Sequence, residues 1–331
     1  MMQNLQKYIP AGLAHRLAPA VLSFYSSTQP VQRRVWSSFE FAGVKFENPL
    51  GVAAGVDKNG TQISAWENLG AGFHEIGTVT PYAQKGNPGK VVDRNWGEKT
   101  LWNRMGFPSA GSDDVYFNLL HSKETRQIPI FVNIGKNRKT TNEDAHFDYT
   151  YLADRFKDVA DVLVMNISSP NTEGLRDLQN QLDTLIGQVL ERAGSTPVLV
   201  KLSPDMPEET FFSCIDTAES TGAAGLILTN TTLQRPQGSS YPAEGGVSGE
   251  FLKTISRKAL KDCLSHLGER KNRMLVVSVG GVTDPAEALL RLEMGADLVQ
   301  TYSGLVFHGL RFFEDTHQLY ASQKLKQKGL L

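Results

Sequence analysis

Lysines, hydroxyls and asparagines recur in this chain where apolar runs end. The stretch Asn166-Ile-Ser-Ser-Pro-Asn-Thr-Glu-Gly-Leu-Arg176 follows directly on Val162-Leu163-Val164-Met165. Amides and hydroxyls are thereby gathered at the carboxyl end of a buried strand, where a barrel enzyme keeps its chemistry. Lys201 follows Val198, Leu199 and Val200, a setting in which an ammonium is costly to bury without a negative partner. Asn48-Pro-Leu-Gly-Val-Ala-Ala-Gly-Val-Asp-Lys58 closes another apolar run, and Ala53, Ala54 and Gly55 are small enough to let backbone approach a flat ring. Gly249, Gly280-Gly281 and Tyr302-Ser303-Gly304 could turn backbone N–H groups toward a phosphate. A Gly-Gly pair alone is an ordinary tight turn, and its place after the seventh apolar run gives it weight.

The elements that must carry these residues alternate. Eight short, β-branched runs recur at 49–54, 72–78, 128–134, 161–167, 197–202, 224–229, 274–279 and 297–302. Helix-period spacing appears between them at 63–69, 182–192, 210–217, 251–267 and 286–294. Asp284 before Pro285 reads as an N-cap with proline at the first helical position. Eight βα units predict an α/β fold, a closed (β/α)8 barrel of the TIM type rather than an open sheet. Residues 38–41 and 44–46 around Ala42-Gly43 predict a β-hairpin that caps the bottom of the barrel. The stretch 235–249, rich in glycine, serine and proline, is expected to be a long loop, which in a barrel is often a lid or ligand loop.

Composition removes several function classes. With 34 basic and 35 acidic residues the net charge is −1, so no global field attracts nucleic acid. Cys214 and Cys263 lie in separate helical patterns without CxxC spacing and are expected to be reduced thiols. No apolar run approaches the ~18 residues of a membrane span. His15 and Arg16 interrupt the only N-terminal apolar stretch, which argues against a secretory signal. His74 reads as a structural residue, with no metal-ligand spacing around it and no metal expected.

These segments together closely resemble the class 2, quinone-linked dihydroorotate dehydrogenases, from Asn48 to about Gly309. The resemblance implies that Ala54, Gly55, Val56, Asp57 and Lys58 bind FMN, with Lys58 also touching orotate. It implies flavin contacts at Thr78 of Glu75-Ile-Gly-Thr-Val-Thr-Pro81, at Asn133, Asn166, Lys201 and Thr229, and at Gly249, Gly281, Tyr302 and Ser303. The substrate would lie on Lys58, on the loop Asn103-Arg104-Met105-Gly106-Phe107, and on Asn166, Asn171, Asn230 and Thr231. Asparagine suits a planar acid with imide edges because it donates and accepts. Pro108 and Ser109 stand where the family usually continues with asparagines.

In that family the equivalent of Ser169 is the base. The related soluble class uses a cysteine there, and no cysteine lies near this loop. By resemblance, Ser169 takes the C5 proton of dihydroorotate while C6 delivers a hydride to flavin N5. Serine is a weak base and no histidine lies in the matched motifs. Thr172 and Phe107 are candidates to shape the proton's exit. Lys201 would stabilise the negative charge that reduced flavin gathers near N1 and O2. A phosphate-binding lyase or isomerase barrel would not need the asparagine-rich strand ends, and a catalytically silent membrane scaffold would not need Lys58, Ser169 and Lys201 together. A dihydrouridine synthase does not fit the charge balance.

Upstream of the hairpin, Leu13, Leu17, Val21 and Phe24 share one face of a predicted helix. Pattern alone allows that face to be ordinary core. The resemblance implies instead a helical module, residues 1–37, that forms a tunnel for ubiquinone or menaquinone, ahead of an FMN-binding barrel at 38–331. Lys7, Arg16, Arg33 and Arg34 would then meet anionic lipid. The expectation is a monomer associated peripherally with the cytoplasmic face of a bacterial inner membrane.

Overall fold

The computed structural model describes residues 8–31, 34–168 and 181–328. Ser169, Asn171 and Thr172 therefore lie outside the described residues, as do Lys7 and Arg33. Eight strands run parallel and close on themselves: β3 (Leu50–Val52), β4 (Phe73–Val79), β7 (Ile130–Ile134), β8 (Val162–Asn166), β9 (Val198–Leu202), β10 (Gly225–Leu228), β12 (Leu275–Ser278) and β13 (Leu298–Thr301). The ring is sealed by the last strand on the first, with Val299 opposite Leu50 and Thr301 opposite Val52. Each lies inside an apolar run read from the sequence, except that β4 extends one residue further, to Val79. The fold is the (β/α)8 barrel.

Alternation along the strands separates two apolar zones. Outward residues such as Val52, Ile76, Val132, Met165 and Val200 pack on the helices. Inward residues such as Phe73, Phe131, Val164, Leu199, Ile227 and Leu298 fill the lumen. The lumen's lower end is stoppered by the hairpin of β1 (Phe39–Phe41) and β2 (Val44–Phe46). Phe46 meets the rings of Phe73 and Phe131 edge-on at 6.0 and 6.1 Å, a favoured aromatic geometry. Gly51 is required there, since a Cβ would come within 2.5 Å of the Phe73 ring.

The helices include α1 (Ala11–Ser27), α2 (Ile63–Asn68), α3 (Ser112–Lys123), α4 (Ala145–Phe156), α5 (Leu182–Ala193), α6 (Glu208–Thr221) and α7 (Glu250–Leu267). After them come α8 (Pro285–Glu293), α9 (Ser303–Phe307) and α10 (Phe312–Gln327). Asp284 caps α8 as its sequence signals, accepting from the N–H of Glu287 at 2.9 Å. Cys214 on α6 and Cys263 on α7 are free and buried, and burial pushes their thiols up to about 11 and about 12. Sequence periodicity had not marked α3, α4, α9 or α10.

One expectation needs correction. The stretch 235–249 is not loop throughout, because Gly246–Gly249 forms β11. It pairs antiparallel with β6 (Thr100–Asn103), which pairs with β5 (Val92–Asn95). Two glycines in four residues hid this strand, whose partner lies far away in the chain. The small sheet stands over the barrel mouth.

Helix α1 leans on α2 and β5 and joins the outer core through Leu22 and Tyr25. Leu22 is buried, Ser23 donates to Gln62 Oε1 at 2.8 Å, and the Arg94 guanidinium donates to the Ile9 carbonyl at 2.7 Å. Leu13, Leu17, Val21 and Phe24 are 46%, 47%, 44% and 73% exposed, so the face is not ordinary core. Arg34, expected to meet lipid, turns to α10 instead, 3.7 Å from Glu314 and 3.1 Å from the His317 ring. Trp36 is buried against Tyr320 at 4.5 Å, so the chain joins the barrel's packing before the hairpin. Among the described residues no helix is long and apolar enough to cross a membrane.

Candidate active site

Above the apolar lumen the inward positions turn polar. Glu75 is two residues beyond Phe73 on β4, Asn133 two beyond Phe131 on β7, Asn166 two beyond Val164 on β8, and Lys201 two beyond Leu199 on β9. Strand alternation therefore puts all four on the same inner face, and all four are buried. They satisfy one another. Lys201 Nζ donates to both Glu75 oxygens at 3.1 and 3.2 Å. Asn133 Nδ2 donates to Glu75 Oε1 at 2.6 Å, and its Oδ1 accepts from Thr78 Oγ1 at 2.5 Å and Asn166 Nδ2 at 3.2 Å.

The network continues outward along the strand ends. Ser168 Oγ donates to Asn166 Oδ1 at 3.3 Å and accepts from Asn230 Nδ2 at 3.2 Å. Asn230 Oδ1 then accepts from the N–H of Thr231 at 2.8 Å, and Tyr149 on α4 holds the Asn166 carbonyl at 2.7 Å. Phe107 lies across this face, its ring about 3.5 Å from where a Gly135 Cβ would stand beside Thr78. Phe107 holds φ +51, a conformation non-glycine residues seldom take and a reserve of strain common at ligand clamps.

The expected flavin residues fall into distinct environments. Gly55 (φ +87) faces the Tyr302 ring, which a Cβ would meet at 3.7 Å, so the ends of β3 and β13 adjoin. Burial pushes the Tyr302 hydroxyl above its usual range. Ala54 is partly buried beside them, and Val56 packs on the outer core. Asp57 commits its carboxylate to its own turn, accepting from the N–H groups of Asn59, Thr61 and Gln62. Lys58 donates to the Gly55 carbonyl at 2.9 Å and stands 3.5 Å from His15 Nε2 on α1. Burial lowers Lys58 to about 8, and burial together with Lys58 holds His15 at about 4.

Asn103 ends β6 over the mouth, and the Met105 carbonyl is taken by Asn87 N–H at 2.9 Å. The Gly106 carbonyl accepts from Arg138 at 3.0 Å. Arg104 donates to Glu244 and the Pro88 carbonyl, at 2.9 and 3.1 Å, so its guanidinium ties two loops together. Thr229 is buried, its hydroxyl on the Asn230 carbonyl at 2.9 Å.

At the far side Gly249 caps α7 and Ser303 opens α9. Gly281 (φ +71) lies so close to the first turn of α7 that a Cβ would stand 2.3 Å from the Lys253 Cα. The loop of Gly280 and Gly281 is anchored from beneath by Arg291, which is fully buried. Arg291 donates to the Gly280 carbonyl at 3.2 Å, to Ser256 and Ser278 hydroxyls at 2.9 and 3.0 Å, and to Glu287 at 2.6 Å. Glu287 also binds Arg257. A helix N-terminus beside a fixed glycine loop is an anion site in the making.

A flavin mononucleotide fits this set of residues. Small residues at 53–55 give a flat approach, Lys201 offers a cation, and the Gly281–α7 junction offers N–H groups. Gln300, inward on β13, has no hydrogen-bond partner for either amide atom among the described residues. His74 faces outward, with neither ring nitrogen partnered among the described residues and burial lowering it to about 4, so it stands apart from this inner network. Sequence reading did not pick out Glu75 or Ser168 for the site. Strand alternation after Phe73 was the available signal for Glu75.

Fold and polar strand ends define an enzyme of the (β/α)8-barrel class. The family model for dihydroorotate dehydrogenase matches residues 37–322, and the chain belongs to that family, in its quinone-linked class. It is 38% identical to the dihydroorotate dehydrogenase (quinone) of Mycobacterium tuberculosis, over 96% of this chain and 92% of that one. It is 42% identical to the Sulfurovum enzyme of the same name, over 82% and 75%. The ligand-free DHODH of Eimeria tenella superposes with a TM-score of 0.85 at 31% identity, covering 96% of both chains. The family match begins after α1, whereas 96% coverage by the mycobacterial relative reaches into it.

Glu287→Gln should destabilise the protein by about 3–5 kcal/mol, the cost of stranding a buried guanidinium. Adding Arg291→Met should recover most of that loss. Urea unfolding of the two variants and the wild type checks this, and equal stability of all three would show the cluster to be inconsequential.

Proposed function

We propose that this enzyme oxidises dihydroorotate to orotate on bound FMN, in pyrimidine synthesis, and passes the electrons to a membrane quinone. The observation that carries this reading is the continuous network of Lys201, Glu75, Asn133, Thr78, Asn166, Ser168 and Asn230 across five strand ends. It is a preorganised surface of amides for an imide-edged substrate. When bound, FMN supplies the two-electron acceptor. Asn103, Asn166, Asn171, Asn230 and Thr231 orient the substrate, with Arg104, Met105, Gly106 and Phe107 closing over it, and Lys58 takes its carboxylate. Ser169 removes the C5 proton. Lys201 would hold the flavin ring and stabilise the negative charge it gathers on reduction, and Gly249, Gly281, Tyr302 and Ser303 would hold its phosphate.

Helix α1 carries the quinone side of the reaction. Its His15 touches Lys58, while its outer face of Leu13, Leu17, Val21 and Phe24 is exposed. A helix is about 10–12 Å across, so an apolar acceptor lying against α1 is within electron-transfer reach of the strand ends. The enzyme acts as a monomer lying on the cytoplasmic face of a bacterial inner membrane, and ubiquinone and menaquinone both satisfy the chemistry.

Ser169→Ala should retain FMN and reduce it roughly 10²–10⁴-fold more slowly, the range for loss of a general base. Rapid mixing with dihydroorotate measures this, and unchanged reduction would remove Ser169 from the role. Orotate affinity should fall about tenfold per pH unit above pH 8, because Lys58 is protonated below about 8 and loses its charge above it. Titrating orotate into FMN-loaded protein between pH 7 and 9.5 tests the sign, and Lys58→Met should flatten the profile. Deleting residues 1–30, which spares Arg34 and Trp36, should abolish quinone turnover and vesicle flotation while leaving flavin reduction intact. Normal quinone turnover without the segment would defeat the assignment of α1.

A further inference from the structure

We infer that Glu75 is a positioning residue that sets the reduction potential of the flavin by partly neutralising Lys201. The inference rests on the placement of Lys201 against the flavin proposed above. Glu75 is fully buried and Lys201 is 5% exposed, and each needs the other, because a buried charge without a partner is strongly unfavourable. Among the described residues, Glu75 is the only carboxylate paired with Lys201. The two residues are not on neighbouring strands. In the barrel order β4 and β9 are separated by β7 and β8, so the pair bridges the lumen beneath the mouth.

The carboxylate is also aimed. Oε1 accepts from both Lys201 and Asn133, and Oε2 from Lys201, which fixes its orientation toward the ammonium. A ligand arriving from the mouth therefore meets an ammonium already shared with a carboxylate, and not a bare cation. That distinction matters in an enzyme that must give its electrons away again. An unopposed lysine would favour the reduced, more negative ring more strongly and leave less driving force for transfer to the next acceptor. Glu75 opposes Lys201 at a distance set by the barrel itself.

The test is a redox titration of FMN-loaded wild type, Glu75→Gln, Glu75→Asp, Lys201→Met and the Glu75→Gln/Lys201→Met double variant, against dyes of known potential. Glu75→Gln should favour reduced over oxidised flavin at least tenfold, which raises the two-electron potential by about 30 mV. Lys201→Met should shift it the opposite way, and Glu75→Asp, which keeps the charge, should stay within threefold of wild type. Should Glu75→Gln fail to fold, Glu75→Ala should raise the potential in the same direction, while the double variant should match Lys201→Met because Glu75 acts through the lysine. Fully loaded Glu75→Gln or Glu75→Ala with an unchanged or lower potential overturns the inference, as does a double variant well above Lys201→Met. Wild-type protein that takes up no FMN overturns the flavin reading with it, whereas loaded variants without a shift overturn the role of Glu75 alone.

Discussion

A ring of eight parallel strands seals its lumen from solvent everywhere except at the two mouths. Any polar group pointing inward must find its partner among the other inward residues, or stand at a mouth. The lower mouth is shut by Phe46 against Phe73 and Phe131, so polarity is pushed to the other end. There Glu75, Lys201, Asn133 and Asn166 complete one another's hydrogen bonds. Their arrangement follows from strand register as much as from side-chain choice, since Asn166 lies opposite Lys201 and Asn133 opposite Gly77 across adjacent strands.

The junction of the Gly280–Gly281 loop with α7 is built by a different device. Its backbone is held from below by a buried guanidinium, with Ser256 reinforcing the same Gly280 carbonyl at 2.6 Å. Burial pulls Arg291 below its ordinary range and Glu287 opposes that pull. The cluster trades hydrophobic packing for hydrogen bonds in fixed directions, a trade that holds the glycine loop in one conformation.

Much of this was legible in the sequence because strand and helix periods are local. All eight barrel strands, the hairpin and the Asp284 cap announce themselves within ten residues, and so do the polar tips that carry Thr78, Asn133, Asn166, Lys201 and Asn230. What was hidden depends on distant partners. β11 is a strand only because Leu101 and Trp102 stand opposite Ser248 and Val247. The pairing of Arg104 with Glu244 lies across a long stretch of chain and could not be read locally, and Arg34 looked free for lipid until α10 was folded beside it. Glu75 was visible as a letter in a motif, but its role needed the lysine 126 positions further on.

Closure of the barrel has a consequence for the order in which the chain can be made. Leu50 is hydrogen-bonded in register with Val299, nearly at opposite ends of the polypeptide. During synthesis β3 can pair with β4 early, yet its other edge stays open until β13 has emerged. The same holds for Trp36, whose ring partner Tyr320 comes later still. Helix α1 leaves the ribosome before all of them, and α2 and β5, on which it leans, follow soon after it. Its outward face of Leu13, Leu17, Val21 and Phe24 is thus presented to the surroundings throughout translation, long before the catalytic mouth exists.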